Sequence, residues 1–227
     1  MLGDHVHEAI ARAAQAHLLY QSGVVDDRGG VLLSAALALP PIEHDHQLRG
    51  LLEGELALQH FVHGRIDEAD RIISAILADA RLDGSFISVL TMNCWGEIAM
   101  ARGQFAVALH RYSQELRRAR AMPVNGLFVC SAIALALAGL GADDAAVELD
   151  EGVEANIERE RFRWLSETLE PPSDADLQLM AAARGRLGTR ATAEAQRRGR
   201  ERDRDEVIDF ALALAEKHAQ MVSPASQ

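Results

Sequence analysis

The chain has 227 residues, 48% of them hydrophobic and 25% charged, and a net charge of −11. That is enough apolar material for a sizeable core, in one large domain or two small ones. The acid excess repels phosphate backbones, which argues against direct nucleic-acid binding. Aromatics at 4% make the core aliphatic. Only one base is a lysine, Lys217, and this arginine preference beside abundant alanine is the composition of proteins from GC-rich bacterial genomes.

The first ten residues, MLGDHVHEAI, place acid and histidine where a secretion signal would place a basic and then an apolar stretch. The apolar run at 31–39 is far shorter than the roughly 20 residues a membrane span needs. The expectation is a cytoplasmic protein with no membrane association. Helical spacing appears nearly everywhere and alternating strand patterns almost nowhere, which predicts an all-α fold.

Glu43, His44, Asp45 and His46 have the residue types of a metal site. After Pro40 and Pro41 the stretch reads as a helix opening, where i and i+2 point about 200° apart and cannot chelate. Acids there suit the positive end of the helix dipole instead. Residues 44–63 and 66–80 follow with broad apolar stripes at a 3.6-residue period. His60 and His63 share a face near the end of the first of these, without a third ligand at suitable spacing. The expectation for them is capping and packing.

Three stretches then share one pattern. A small residue at Ala57, Gly96 or Ala134 is followed seven positions later by Gly64, Gly103 or Gly141. Five positions further comes Ala69, Ala108 or Ala146. The glycines are 39 and 38 residues apart. A glycine that ends one helix, with small residues two turns before it and one turn after the next start, lets two antiparallel helices approach closely. A recurring unit of this length marks a helical solenoid. Residues 4–39 carry a weaker copy with Gly23 in the glycine slot and Arg28 where alanine is expected. Cys94 and Cys130 sit in apolar helical stretches and read as small core residues.

Beyond 156 the period stops. Pro171 and Pro172 end a helix, and Ser173 is placed to cap the next, with Asp174 and Asp176 in its first turn. The final helix begins with Asp203 and Glu206 in capping-box spacing, and Val207, Phe210, Ala211 and Leu214 form its apolar stripe. Eight arginines fall between Arg184 and Arg204 among Glu194, Glu201 and Asp203. No aromatic partners for stacked bases accompany them. The expectation is intrachain ion pairs on solvated helices. No P-loop, GxSxG or HExxH pattern is present.

The repeats resemble tetratricopeptide repeats, in longer units. The tail residues Arg186, Leu187 and Gly188, then Ala195, Gly199 and Arg200, then Asp205, Glu206, Val207 and Ala211 resemble the region closing the tetratricopeptide-like part of LuxR-type and adenylate-cyclase-associated bacterial ATPase regulators. The resemblance covers roughly 44–219. It implies a helical-hairpin solenoid over 1–156, with about four hairpins, and a C-terminal helical extension over 157–219. A disordered tail at 220–227 is expected after it. It implies a non-catalytic interaction or sensor module of a signalling or transcription-regulatory system, without cofactor, metal or direct nucleic-acid binding. Neither the nucleotide-binding module nor the helix-turn-helix of those regulators is visible in the sequence.

In that family the first helix of each repeat lines a concave face. The positions implied here are Leu58, Phe61 and Val62, then Asn93, Glu97 and Met100, then Ser131, Leu135 and Ala138. They would bind a protein segment or small effector, unless a helix from 159–187 fills the groove. The alternative is an all-α metalloprotein or enzyme using the histidine and acidic groups near 43–63.

Overall fold

A computed structural model describes residues 2–22, 26–82, 86–119, 123–160 and 173–219. Among them are eleven α-helices, two short 3₁₀ turns and no strand. The helices are α1 (Leu2–Gln21), α2 (Arg28–Leu37), α3 (His46–Val62), α4 (Ile66–Ala78), α5 (Phe86–Ala101), α6 (Phe105–Ala119), α7 (Pro123–Gly139) and α8 (Asp143–Arg159). After them come α9 (Asp174–Leu187), α10 (Thr189–Glu201) and α11 (Arg204–Ala219). The expected tail at 220–227 and the Gly23 slot lie outside the described residues.

The chain is all-α, in two compact units, Met1–Ile98 and Ala99–Gln227. This division falls inside α5, far from the expected boundary at 156. The segment expected to be an extension packs into the second unit, where α9 and α10 lie against α8 and α11 lies against α6, α7 and α8.

Each predicted glycine ends its helix in the left-handed region, with φ of 73° at Gly64, 66° at Gly103 and 76° at Gly141. The hydrogen bonds are the same three times. The glycine N–H donates to the carbonyl three residues back, Phe61, Met100 or Ala138. The next N–H donates to the carbonyl five back, His60, Ala99 or Leu137. This is the Schellman arrangement, and its left-handed residue tolerates glycine far better than any side chain. It leaves three residues between helices each time. Where such neighbours pack on each other, as α3 and α4 do and α7 and α8 do, they must run in opposite senses. The small residues lie inside as expected: Ala57, Ala69, Ala108, Ala134 and Ala146 are 0% exposed, and Gly96 is buried.

Pro40–Glu43 forms a 3₁₀ turn, so α3 opens later than the prolines alone imply. Asp45 is its N-cap and accepts from Leu48 N at 3.0 Å. Its acid belongs to helix capping, which removes it from any metal constellation. Ser173 and Asp176 form a reciprocal capping box at α9. Asp203 and Glu206 do the same at α11, each side chain accepting the other's N–H at 2.9 Å.

In the first unit, Ala9, Ala13 and Ala16 of α1 meet Leu33 and Ala36 of α2 with Ile42, Leu48 and Leu52. A second cluster joins Ala57, Ala69, Ile72, Ile73, Ile76, Leu82 and Ile98. In the second unit one cluster runs from Ala99 through Tyr112, Leu116, Ile133 and Leu137 to Val207, Ala211 and Ala215.

The tightest contact there is between α8 and α10. A methyl added to Gly199 would fall 2.3 Å from the Glu148 carbonyl oxygen and 2.9 Å from the Gly152 nitrogen, both fixed backbone atoms. Gly199→Ala must therefore push the two helices apart. It is expected to destabilise by at least the 1–3 kcal/mol typical of overpacking. Gly185, inside α9, has nothing within 4 Å of an added methyl. Gly185→Ala is expected to stabilise by about 0.5–1 kcal/mol through helix propensity. Thermal and urea melts of the two variants should move in opposite directions.

Candidate functional site

The nine implied groove positions divide between the units. On α3, Leu58 and Phe61 are half-buried, Phe61 packing against the Ile73 cluster, while Val62 is 37% exposed. Glu97 is half-buried on α5, and the Asn93 side chain lies outside the described residues. In the second unit, Met100 and Leu135 are half-buried against the core cluster, and Ser131 is half-buried. Ala138 is buried, and its carbonyl accepts from Arg186 Nη2 at 3.0 Å. That arginine belongs to α9, which packs on α7 and α8 and buries Met180 and Ala183. At this end of α7 a helix of the same chain occupies the surface.

The histidines near α3 are engaged locally. Arg65 Nε donates to His60 Nδ1 at 2.8 Å, and Arg65 Nη1 holds Asp27 at 2.8 Å. Burial first, then Arg65, lowers the His60 pKa, favouring the neutral acceptor that this bond requires. His63 Nδ1 lies 2.6 Å from the Gln59 carbonyl, which makes that nitrogen the donor. His46 Nε2 lies 2.8 Å from Arg81 Nη1. Among the described residues no three of His, Cys, Asp and Glu come together as a metal site. Burial pushes the thiols of Cys94 and Cys130 up to about 12, which makes both poor nucleophiles.

The arginine-rich tail forms the most developed polar array. Glu148, 5% exposed at its side chain, accepts from Arg198 Nε and Arg202 Nη2, each at 2.6 Å. Glu151, 10% exposed, accepts from Arg200 Nε at 2.5 Å and Gln196 Nε2 at 2.9 Å. Further out, Arg198 reaches Asp144, Arg184 reaches Asp150, and Arg186 grips Asp143 with two nitrogens. Arg159 and Asn156 of α8 donate to the terminal carbonyls of α10, Arg200 and Arg202. Arg202 also covers the Phe210 ring at 4.0 Å.

Seven of the eight tail arginines are thus paired with the chain's own carboxylates, as expected, but Glu148 and Glu151 are buried rather than solvated. Sequence reasoning missed these two. Their signal was the row Asp144, Glu148, Glu151 and Gly152 on one face of α8, opposite the small pair Ala195 and Gly199. Two open depressions flank α10. One, of about 240 Å³, is lined by Asn156, Arg159, Glu160, Asp203, Arg204 and Asp205. The other, of about 460 Å³, lies between Arg184, Gly188, Thr192 and Gln196. Neither pairs a nucleophile with a base.

No family model matches the chain, and neither a curated protein nor a solved structure shows significant similarity to it.

Two outcomes follow from the arginine array. Glu148→Ala removes the carboxylate paired with Arg202 and leaves Arg198 with Asp144 alone. It should cost about 2–3 kcal/mol, less than breaking a wholly buried pair because each arginine keeps about a third of its surface in water. With seven of the eight tail arginines paired to carboxylates and a net charge of −11, the chain should not bind duplex DNA tightly at physiological salt. A fluorescence titration giving sub-micromolar affinity would contradict that reading.

Proposed function

We propose that the chain is a non-catalytic helical-repeat interaction module of a bacterial signalling or transcription-regulatory system. It binds a protein segment or a small effector on the inner face of its hairpins. The observation that carries the reading is the thrice-repeated turn at Gly64, Gly103 and Gly141, with the same hydrogen bonds and the same buried small residues around it. A unit repeated with this fidelity stacks hairpins and leaves one helix of each free to meet a ligand. The resemblance of the tail to the closing region of LuxR-type regulators supplies the biological setting. Among the described residues no helix is long and apolar enough to cross a membrane. The engaged histidines and high thiol pKa values give the metalloprotein alternative no support.

In this reading Phe61 and Val62 are the accessible apolar part of the inner face of α3. They are half-buried and 37% exposed, respectively. Phe61→Ala should destabilise less than the 3–5 kcal/mol of a fully buried phenylalanine. Val62→Asp should leave the melting temperature almost unchanged. Both should abolish the enrichment of binders when the chain is panned against a displayed peptide library. If Val62→Asp and Phe61→Ala recover the same binders as the parent, this face is not the docking surface.

A further inference from the structure

The hairpin α3–α4 is closed at each end by an arginine set against a histidine. At the turn, Arg65 Nε donates to His60 Nδ1 at 2.8 Å, while Arg65 Nη1 reaches Asp27, the N-cap of α2, at 2.8 Å. At the far end His46 opens α3, and Arg81 follows α4 in the short turn Ala80–Leu82. There Arg81 Nη1 lies 2.8 Å from His46 Nε2. A guanidinium carries donors and no acceptor, and it keeps its charge at every physiological pH. Each of these two histidine nitrogens is therefore the acceptor, its lone pair turned to the arginine. A proton on either would set N–H against N–H and cation against cation. The bond and the protonated ring exclude each other.

The neighbours leave that exclusion in place. Around His60 lie Arg65, Glu68 and Arg71 from the α4 side and Asp27 from α2. Burial first, then Arg65, holds His60 below its ordinary 6.5 against the pull of Glu68 and Asp27. His63, a turn further on, is turned to the Gln59 carbonyl and faces Asp26. Around His46 the charged groups are Arg81 and Asp79, with His44 and Asp45 preceding it in the chain. Asp45 is taken by the Leu48 N–H. Asp79 is gripped by Arg81 through Nε and Nη2, which holds its carboxyl down to about 2. It stays ionised between pH 8 and 5 and keeps Arg81 aimed. The side chains of Arg65 and Arg81 are 34% and 60% exposed, so protons reach both ends without unfolding.

We infer that the α3–α4 hairpin carries a two-ended, proton-released clasp, in which neutral His60 and neutral His46 hold Arg65 and Arg81, and proton uptake by either histidine frees its end. At the turn the same event removes one of the two anchors that hold Arg65 between α3 and α2. The released end binds more protons than the closed one, so release is favoured as pH falls through 6.5 and not above it. At pH 5.0 a freed histidine of ordinary affinity is protonated about thirty times more often than not, which caps the shift at about thirtyfold per end. The clasp operates whether or not the inner face binds a partner.

Nitrogen NMR of the full chain tests the closed state. At pH 8.0 the bare ring nitrogen should be Nδ1 in His60 and Nε2 in His46. Arg65→Met should raise the His60 titration midpoint and leave that of His46 where it was. Amide exchange, corrected for its intrinsic pH dependence, tests the release. The Arg65 amide bonds the His60 carbonyl and the Leu82 amide bonds the Asp79 carbonyl, one at each end. From pH 8.0 to 5.0 the protection of both should fall severalfold, toward the thirtyfold limit. The double variant His46→Gln/His60→Gln keeps an acceptor at each place without a titrating ring, and its protection should stay level. The opposite tautomer at either histidine, an unmoved His60 midpoint in Arg65→Met, or a fall in the parent within twofold of that in the double variant would overturn the clasp.

Discussion

A glycine with positive φ closes three of the helical pairs, and much of each hairpin follows from it. The left-handed residue lets two backbone N–H groups fold back onto the last carbonyls of the helix it ends, so the turn is satisfied without side chains. With no room in the turn for adjustment, the following helix must start within two residues and, where it packs on its predecessor, return along it. Where the axes come close, a large side chain would wedge them apart, and Ala57 and Ala69, or Ala134 and Ala146, are found instead. Apolar bulk is displaced to other faces: to Ile72, Ile73 and Ile76 in the first unit, and to Leu109, Tyr112 and Leu116 in the second. The conformational constraint in the turn thus becomes a volume constraint two turns away.

The second unit applies the same economy between helices that are not sequence neighbours. Gly199 brings α10 onto the α8 backbone so closely that Glu148 and Glu151 lose their water. Buried carboxylates are costly unless charged donors reach them. Arg198, Arg200 and Arg202 do so from every second position around the last turn of α10. The close contact and the arginine-rich sequence are therefore one feature.

The turns were legible because glycine at φ above zero is a local requirement that survives any tertiary setting, and Gly64, Gly103 and Gly141 meet it as read. The caps at Asp45, Ser173 and Asp203 were legible for the same reason, since their hydrogen bonds span three residues. The second unit's boundary was not, because α5 reads as one continuous apolar helix and nothing in its residues marks Ile98 from Ala99. Nor was the pairing of Glu148 with Arg198 and Arg202, about fifty residues apart, where any of several acids could have been the partner. Of the implied binding positions, Phe61 and Val62 keep an accessible surface. Ala138 is buried, its carbonyl taken by Arg186, a contact that α7 alone could not foretell.

Charge balance separates the two flanks of α8. Facing α10, acids and arginines are matched nearly one for one, and donors point directly at the carboxylates. Facing α9, Asp150 has one arginine and Glu154 none of its own, so desolvation and mutual repulsion are only partly offset. The two flanks of the same helix therefore differ in how closely charge is matched. α10 is polar on its outer face and locked to α8 at Gly199. α9 rests on Met180 and Ala183, on Leu179 and Leu187 at the edge of the core, and on Arg184 and Arg186, which pair with Asp150 and Asp143.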